Sequence, residues 1–302
     1  MDDYRRLPLG GSPPDQVTPT DWLRDNGRVT PTIVYQGEPG AYSDEAAQLL
    51  FPDATAAGQG TFAEAFAEVA GGRAMAAVVP VENSLAGVVQ EVSDLLWAHS
   101  ELAAVAEHIA PIRHHLLSRD GTPVRRVLSH PQALAQCARW LREHRIQPVG
   151  FHDTAGAARE IAERGLPGDG AIASRAAADR YGLVVLAADI ADDASNRTRF
   201  LVIQRAGDAP PPPSGPAKFS LGFVTAHRPG GLARVLDVFA SQDINLTRLD
   251  SRPIPHEPFR YRFYADLELP DASRIDELLE ALRATTAELR PFGLYRPAVY
   301  PD

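Results

Sequence analysis

Up to about residue 208, segments with strand-like runs of apolar residues take turns with segments in which apolar residues have helical spacing. Short apolar runs that fit buried strands are separated by stretches in which apolar residues recur at helical spacing. The predicted strands are 32–36, 76–81, 127–129, 171–173 and 199–204. The predicted helices are 44–51, 62–70, 85–97, 131–144, 154–164 and a segment that ends at Tyr181. This alternation predicts an α/β fold with helices on the faces of the sheet.

The pattern changes after residue 217. The predicted order there is strand 218–225, helix 231–240, strands 244–251 and 261–267, helix 272–282 and a short strand 288–290. Leu232, Val235, Leu236 and Phe239 recur at the spacing of one helical face, so the first of these helices is expected to bury one side. The order βαββαβ is typical of a ferredoxin-like domain.

A proline-rich segment separates the two patterns. Residues 210–216 contain five prolines, and consecutive prolines disfavour both helix and central strand. A chain of 302 residues is also long for a single domain. The predicted divisions are a tail without assigned chemistry at 1–30, a first domain at 31–208, a linker at 209–217 and a second domain at 218–300.

Composition narrows the classes of partner. The 39 acidic residues exceed the 30 basic ones, and the resulting net charge of −9 argues against a nucleic-acid partner. Cys137 is the only cysteine, which excludes an intramolecular disulfide and fits a reducing cytoplasm. No apolar run is long enough to cross a bilayer, so no membrane partner is expected. The chain has no P-loop and no G-x-G-x-x-G, and its nine histidines lack metal-ligand spacing, so neither a cofactor nor a metal is expected.

The strongest candidate for chemistry is the segment Asn196–Phe200, which reads Asn-Arg-Thr-Arg-Phe and leads into a predicted strand. It brings a hydroxyl, a guanidinium and an amide to one end of that strand. Alternation along a strand places Thr198 and Phe200 on one face and Arg199 on the other. Such residues at a strand end also commonly satisfy turn hydrogen bonds, so the segment alone does not establish a site.

Four further motifs lie where predicted strands meet predicted helices. They are Gly37–Ser43, Glu82–Ser84, Ser129–Cys137 and Asp153–Ala155. Ligands of open α/β sheets gather at the carboxyl ends of strands, and helix N-termini there favour anions. Each motif also has a structural interpretation as a turn or a helix cap. His130 is interpreted as structural, because Pro131 holds it in the turn.

In this order the motifs resemble those of prephenate dehydratase, and two downstream segments, Pro229–Leu232 and Asp250–Pro253, resemble the signatures of the ACT regulatory domain. The resemblance covers about Thr32 to Arg296. It implies a catalytic region of two α/β lobes, similar to a bilobed periplasmic binding protein, with the active site in the cleft. The implied lobes are about 31–108 plus 189–206, and 109–188. The second domain is then an ACT domain with the βαββαβ order.

The resemblance implies a hydro-lyase of phenylalanine biosynthesis, which removes CO₂ and the ring hydroxyl from prephenate to give phenylpyruvate. Thr198 is then the catalytic residue and donates a proton or a strong hydrogen bond to the leaving hydroxyl. Arg199 is either the planar partner of a substrate carboxylate or a brace of the lobe interface. Ala41 stands where many members have threonine. The implied substrate-binding residues are Gly40, Tyr42, Ser43, Glu82, Asn83, Ser84, Ser129, Gln136, Thr154, Asn196, Arg199 and Phe200.

The resemblance also implies an allosteric effector, L-phenylalanine, bound between paired ACT domains of a homodimer or homotetramer. The implied effector-binding residues are Gly230, Gly231, Leu232, Asn245, Leu246, Asp250, Ser251 and Arg252. Gly231 replaces a common alanine and Asp250 a common glutamate, and the shorter acid could weaken effector binding. Two alternatives stay open at this point: an arogenate dehydratase that yields phenylalanine directly, and a non-catalytic amino-acid sensor.

Overall fold

The fold comes from a computed structural model that describes residues 30–300. The predicted tail therefore lies outside the described residues, except for Thr30. Within them the chain forms two α/β lobes and a C-terminal antiparallel sheet with two helices. No helix of this part of the chain is long and apolar enough to cross a membrane.

The strands and helices have the following bounds. The strands are β1 (Thr32–Gln36), β2 (Thr55–Gln59), β3 (Ala76–Asn83), β4 (Gly87–Val88), β5 (Leu102–Pro111), β6 (His115–Ser118), β7 (Arg126–Ser129), β8 (Gln147–Gly150), β9 (Asp169–Ala173), β10 (Val184–Ala187), β11 (Arg197–Arg205), β12 (Ala217–Thr225), β13 (Asn245–Pro253), β14 (Tyr261–Leu269) and β15 (Thr286–Tyr295). The helices are α1 (Tyr42–Leu50), α2 (Phe62–Ala70), α3 (Gln90–Ala98), α4 (Pro131–Gln136), α5 (Ala138–Glu143), α6 (Thr154–Arg164), α7 (Arg175–Tyr181), α8 (Gly231–Ser241) and α9 (Ile275–Thr285).

The first lobe is built on a sheet with the strand order β2-β1-β3-β11-β5, and β4 pairs with β3. Strands β1, β2 and β3 run parallel, whereas β11 lies antiparallel between β3 and β5. Alternate residues of β3 pack against opposite layers: Val79 lies in one core with α2, and Val78 in another with α1. The apolar run of β3 is therefore covered on both faces, as central strands of α/β sheets are.

The second lobe carries a sheet with the order β10-β6-β9-β7-β8. Its two faces are also covered, one by α4 and α5 and the other by α6 and α7. The chain enters this lobe after β5 and leaves it before β11, and these two strands are neighbours in the first lobe. The two connections thus lie side by side at one edge of the cleft, and the predicted bilobed α/β architecture is confirmed.

The C-terminal domain has the predicted βαββαβ order, with its sheet arranged β13-β14-β12-β15. One face of the sheet packs on α8 and α9. The other face packs on the first lobe, where Tyr264, Phe292 and Tyr295 share a core with Phe66. A Cβ atom on Gly293 would lie 1.9 Å from the carbonyl oxygen of Ala104, so the backbones approach too closely for any larger residue.

Several predicted boundaries are wrong. The predicted helix 85–97 begins only at Gln90, because Asn83 to Val88 form a turn and a short strand in which Gly87 has φ +84°. The predicted helix 131–144 is interrupted at Cys137. Sequence pattern missed β2, β6, β8 and β10, which have only four or five residues each, and it also missed the longer strand β5. The last strand is longer than 288–290.

Candidate active site

A cavity of about 260 Å³ lies in the cleft between the two lobes. Predicted site residues that line it are Tyr42, Ser43, Asn83, Gln136, Thr154, Thr198 and Phe200. The other lining residues are Gln36, Gly37, Ala41, Pro80, Val89, Ile112, His114, His130, Gln132, Ala133 and Asp153. The sequence motifs at strand ends in both lobes therefore meet around one space.

Thr198 is held by Asn83 on the neighbouring strand. The two residues are paired in register, and the Asn83 amide nitrogen donates to the Thr198 hydroxyl oxygen at 2.9 Å. The Asn83 amide oxygen is taken up by the backbone N–H groups of Leu85 and Ala86, at 3.1 and 2.9 Å. These two donors fix the amide orientation, so the Thr198 oxygen must act as the acceptor. Among the described residues the Thr198 hydroxyl donates to no protein group, which leaves its proton for a ligand.

A second set of hydrogen bonds connects Asn83 with the second lobe. The Asn83 amide nitrogen also donates to Asn196 Oδ1 at 2.8 Å, and Asn196 Nδ2 donates to Gln136 Oε1 at 3.1 Å. Asn196 is buried and does not itself line the cavity. Its position behind Thr198 and Gln136 makes it a link that orients two cavity residues.

His114 joins this set from the connection between β5 and β6. Its Nε2 lies 2.8 Å from Gln136 Oε1, and its Nδ1 lies 2.9 Å from the hydroxyl of Tyr42. The Tyr42 hydroxyl also donates to the carbonyl oxygen of Arg113 at 2.8 Å. Burial lowers the pKa of His114 and raises that of Tyr42. The hydrogen bond from His114 to the Gln136 amide oxygen acts on the pKa of His114 in the opposite direction to burial.

The loop before α1 closes one side of the cleft. Gly40 has φ +87°, and a Cβ atom there would lie 2.8 Å from the Cα atom of Ala177 in the second lobe. The Ser174 hydroxyl donates to the Gly40 carbonyl oxygen at 2.8 Å. Gly40 therefore fixes the contact between lobes and does not line the cavity. Ser43 lines the cavity as the second residue of α1, and Ala41 is the N-cap of that helix.

Thr154 lines the cavity at the first turn of α6. Asp153 caps that helix and accepts a hydrogen bond from the backbone N–H of Gly156. The two interpretations of this motif therefore both apply, since Asp153 caps the helix and Thr154 lines the cleft cavity. A helix N-terminus at this position contributes a positive partial charge to the cavity.

Three predicted residues face away from the cleft, towards the C-terminal domain. Arg199 contacts Glu107 at 3.1 Å and Glu82 at 3.6 Å, and it forms a further ion pair with Asp266. Glu82 and Ser84 line the same interdomain space as Arg199, a separate cavity of about 190 Å³. Burial by itself lowers the pKa of Arg199, but Asp266 and its other acidic neighbours outweigh burial and raise it. Arg199 therefore joins the two domains, whereas Ser84 donates to Ser195 and accepts from Arg197 within the catalytic region. None of the three residues lines the cleft cavity.

Ser129 also lies outside the cavity. It is fully buried, and its hydroxyl donates to the carbonyl oxygen of Ile172 at 2.6 Å, which ties β7 to β9. His130 caps α4, as the structural interpretation predicted, and it lines the cavity as well. Cys137 is buried in the second lobe, where burial raises the pKa of its thiol to about 12.

Sequence reasoning missed several cavity residues, above all Ile112 and His114. They lie between β5 and β6, two strands that the pattern did not predict. Gln132 carried a usable signal, because its spacing from Gln136 puts both amides on one helical face. Within residues 30–300, no group of three or more His, Cys, Asp or Glu side chains is arranged to hold a metal ion.

The predicted effector residues do not form one site within a single chain. Gly231 and Leu232 line a cavity of about 300 Å³ in the C-terminal domain, together with Phe259 and Tyr261. Gly230 caps α8 with φ +74°. Asn245 donates to Glu268, and Leu246 packs in the core of the domain. Asp250, Ser251 and Arg252 lie on the edge strand β13, and Arg252 contacts Gln90 and Asp94 of α3.

Comparisons with known proteins agree with this architecture. The family model of prephenate dehydratase matches residues 33–208, and that of the ACT domain matches residues 219–286. Arogenate dehydratase 2 of Petunia hybrida is 41% identical over 281 residues, which cover 87% of this chain and 71% of the relative.

Two solved structures are also similar over most of the chain. Prephenate dehydratase from Arthrobacter aurescens in complex with L-Phe has a TM-score of 0.81 and 32% identity, covering 88% of this chain and 90% of that one. GqqA, described as a novel type of quorum quenching acylase, has a TM-score of 0.80 and 36% identity, covering 89% of this chain and 98% of that one. The chain belongs to the prephenate dehydratase family of hydro-lyases and carries a C-terminal ACT domain, as the sequence motifs predicted.

Proposed function

We propose that this protein converts prephenate to phenylpyruvate. In that reaction the bond between the ring and its carboxylate breaks, and the carboxylate leaves as CO₂. The electron pair forms the new ring double bond and expels the ring hydroxyl, which takes up a proton and leaves as water. The reaction makes an aromatic ring, so the protein needs to supply a correctly placed proton donor and a pocket of fitting shape.

The observation that carries this proposal is the direction of the hydrogen bond between Asn83 and Thr198. Because the Thr198 oxygen accepts from an amide whose orientation is fixed, the hydroxyl proton is free to point into the cleft. A leaving hydroxyl in the cavity would receive that proton or a strong hydrogen bond from it. Positioned general acids typically contribute about 10²- to 10⁴-fold to rate. Phe200, on the same face of β11, gives the cavity an apolar wall for the ring.

The deciding experiment is turnover of the purified protein on prephenate and on arogenate in parallel, with phenylpyruvate and phenylalanine measured separately. We expect faster formation of phenylpyruvate. The variant Thr198→Val, which keeps the shape but lacks the proton, is expected to lose most activity, whereas Thr198→Ser is expected to retain it. No turnover on either substrate would contradict the proposal and favour a non-catalytic sensor.

One feature of the cavity favours arogenate as a second candidate substrate. Arogenate carries an ammonium group where prephenate has a keto group, and the Asp153 carboxylate lines the cavity. The Petunia relative is named an arogenate dehydratase. Asp153→Asn tests this directly, since it removes the negative charge but keeps the helix cap. A loss of activity on arogenate alone would support an ammonium contact.

We further propose that L-phenylalanine binds the cavity in the ACT domain and regulates the enzyme. The rings of Phe259 and Tyr261 offer an apolar surface for the aromatic side chain, and Arg228 offers a partner for the carboxylate. Arg260 also lines the cavity but is paired with Glu257. The similar Arthrobacter enzyme was solved with L-Phe bound. A Cβ atom on Gly231 would lie 2.6 Å from the Ala226 carbonyl oxygen, so the glycine lets this loop close tightly beside the cavity.

The effector proposal is tested by calorimetric titration of L-phenylalanine into Phe259→Ala. Phe259 is 83% exposed, so its removal is expected to leave the fold intact while it weakens phenylalanine binding. Leu49→Ala is a matched control, because Leu49 is 67% exposed on the first lobe. Unchanged affinity in Phe259→Ala would place the effector elsewhere.

The remaining features of the proposal are a homodimer or homotetramer formed through ACT domains, a cytoplasmic location, and the division into domains at 31–208 and 218–300. Strand β13 is an edge strand with exposed residues, including Leu249, and edge strands can pair with a second copy. Asp250, Ser251 and Arg252 would then lie at the interface. Light scattering of the wild type and of Leu249→Lys tests the assembly: an unchanged mass would exclude this edge.

A further inference from the structure

The cleft cavity lacks a permanent cation for its proposed substrate. Prephenate is a dicarboxylate, yet among the described residues that line the cavity none is lysine or arginine. Arg199, which the sequence left open as either a carboxylate partner or a brace of the lobe interface, is paired with Glu107, Glu82 and Asp266 on the other side of the sheet. The lining groups able to become cations are the imidazoles of His114 and His130.

Hydrogen-bond directions at one end of the site are fixed by the backbone. Asn83 Oδ1 accepts from the N–H groups of Leu85 and Ala86, so the Asn83 nitrogen faces Asn196 Oδ1. Asn196 must then present its nitrogen to Gln136 Oε1. Gln136 Oε1 also lies 2.8 Å from His114 Nε2, so His114 has to carry a proton on Nε2 for this contact to be a hydrogen bond.

The contacts of Tyr42 require a second proton on the His114 ring, at Nδ1. The Tyr42 hydroxyl lies 2.8 Å from the carbonyl oxygen of Arg113, which can only accept, so Tyr42 donates there. The Tyr42 oxygen is then an acceptor towards His114 Nδ1 at 2.9 Å. The hydrogen bonds that start at Asn83 and those that start at the Arg113 carbonyl oxygen therefore meet at His114. All of them are satisfied only when both nitrogens of His114 are protonated.

Burial of the ring opposes that charge. His114 is buried, and burial holds its pKa below the ordinary value. Neutral His114 leaves Tyr42 with one proton for two acceptors, Nδ1 and the Arg113 carbonyl oxygen. The charged and titratable groups near the ring or its partner Tyr42 are Glu45, Arg113, His115, Cys137 and Asp189. None of the carboxylates among them forms an ion pair with His114 in the described part of the chain.

We propose that His114 takes up one proton from solvent as the anionic substrate enters the cleft, and that its imidazolium is the positive charge that balances a substrate carboxylate. This inference rests on the proposed function. His114 is a positioning residue, because both of its nitrogens are bound to protein groups. It acts through Gln136, whose oxygen it holds, so that the Gln136 amide nitrogen is free to donate into the cavity.

The proposal predicts proton-linked substrate binding. Where free His114 is neutral, binding requires uptake of a proton, and KM is expected to rise by about tenfold for each pH unit. Because the protonated form of His114 binds the anion, substrate affinity is highest below the pKa of His114 in the free enzyme. This affinity is lost as the pH rises through the pKa of His114 in the complex. The turnover number kcat is expected to change much less, because His114 is already protonated in the complex.

The first test is the pH dependence of KM and kcat for the wild type, His114→Gln and His130→Gln. Glutamine at position 114 can still donate to Gln136 but cannot take a charge, so KM is expected to be raised at neutral pH and to lose its pH dependence. His130→Gln is expected to keep the slope of the wild type. A slope that disappears in His130→Gln but not in His114→Gln, or a wild-type KM that does not vary with pH, overturns the proposal.

The second test counts the protons directly. Prephenate is titrated into Thr198→Ala in two buffers of different ionisation enthalpy, and we expect close to one proton taken up per site at mildly alkaline pH. Nitrogen-15 spectra of histidine-labelled protein are expected to show a second protonated nitrogen on His114 in the complex. These measurements need no substitution at position 114, so they decide the question even if His114→Gln does not fold. Absence of turnover would contradict the proposed function, whereas turnover without proton uptake would contradict only this inference.

Discussion

Arg199 of the catalytic region and Asp266 of the ACT domain form an ion pair in which both side chains are almost completely buried. Arg248, also from the ACT domain, contacts the same carboxylate at 2.7 Å, and Ser220 donates to its other oxygen at 2.5 Å. Arg199 directly follows Thr198 on β11. The residue next to the proposed proton donor is therefore tied to the regulatory domain, whereas Thr198 itself faces the cleft.

Asp266→Asn is expected to destabilise the protein strongly. Removing the charge leaves Arg199 and Arg248 buried without their shared partner, and breaking a buried ion pair in this way typically costs about 3–5 kcal/mol. Asp208→Asn is the matched control, because the Asp208–Arg205 pair is about half exposed. Exposed pairs contribute roughly 0–1 kcal/mol. Urea denaturation of both variants compares the two; similar losses would mean that the buried pair contributes nothing special.

Asp266 is also expected to make the protein sensitive to acid. Burial by itself raises the pKa of Asp266, but Arg199 and Arg248 outweigh burial and hold it below the ordinary value. A lowered pKa in the folded state stabilises the fold above the unfolded-state pKa of about 3.9, and this contribution is lost as pH falls further. The melting temperature of the wild type should therefore fall more steeply below about pH 4 than that of Asp266→Asn. Parallel curves for the two proteins would exclude Asp266 as the source.

Asn83→Asp is expected to lower kcat although it hardly changes the size of the side chain. The backbone N–H groups of Leu85 and Ala86 would still hold one oxygen, and the second oxygen would replace the nitrogen that donates to Thr198. The Thr198 hydroxyl would then turn and donate to the new carboxylate, so its proton would leave the cavity. A loss of about 10²-fold or more in kcat follows if that proton acts as a general acid.

Asn245→Asp is the control for this change, because Asn245 lies in the ACT domain and donates to Glu268 far from the cleft. Its kcat on prephenate is expected to match that of the wild type. If Asn83→Asp retains normal kcat, the orientation of the Thr198 hydroxyl is not important for turnover.

Gly40→Ala is expected to cost more stability than an equivalent change at Gly182. Both glycines have positive φ, a conformation that costs other residues about 1–2 kcal/mol. A Cβ atom on Gly182 meets nothing within 4 Å, whereas one on Gly40 would press on the backbone of Ala177 across the lobe contact. Such overpacking adds roughly 1–3 kcal/mol. Thermal denaturation gives the comparison, and equal losses would show that the lobes can separate there without cost.

Local pattern predicted the elements that carry the chemistry but not the partners they meet. Alternation along β11 correctly placed Thr198 and Arg199 on opposite faces. The local sequence does not predict Asp266 as the partner of Arg199. The two residues are 67 positions apart and come into contact only when the two domains pack together. His114 was missed for a related reason: it follows β5, a strand that was not predicted, and its partner Tyr42 is 72 positions away along the chain.

Arg252→Ala is expected to separate effector binding from inhibition. Arg252 lies on β13 and contacts Gln90 and Asp94 of α3. The residue just before α3 is Val89, which lines the cleft cavity. It does not line the ACT cavity in which phenylalanine is proposed to bind. Loss of Arg252 should therefore leave phenylalanine affinity nearly unchanged while it weakens inhibition.

Phe259→Ala is expected to weaken phenylalanine binding itself, and inhibition only as a consequence, because Phe259 lines the ACT cavity. Calorimetric titration of phenylalanine and inhibition of turnover, measured on both variants, distinguish the two effects. Arg283→Ala, which removes an exposed arginine from the last turn of α9, controls for loss of charge. Allosteric couplings typically amount to about 1–3 kcal/mol, so complete uncoupling would remove a roughly 5- to 150-fold effect of saturating phenylalanine on substrate affinity. If Arg252→Ala instead loses binding and inhibition together, β13 belongs to the effector site and not to the path between the sites.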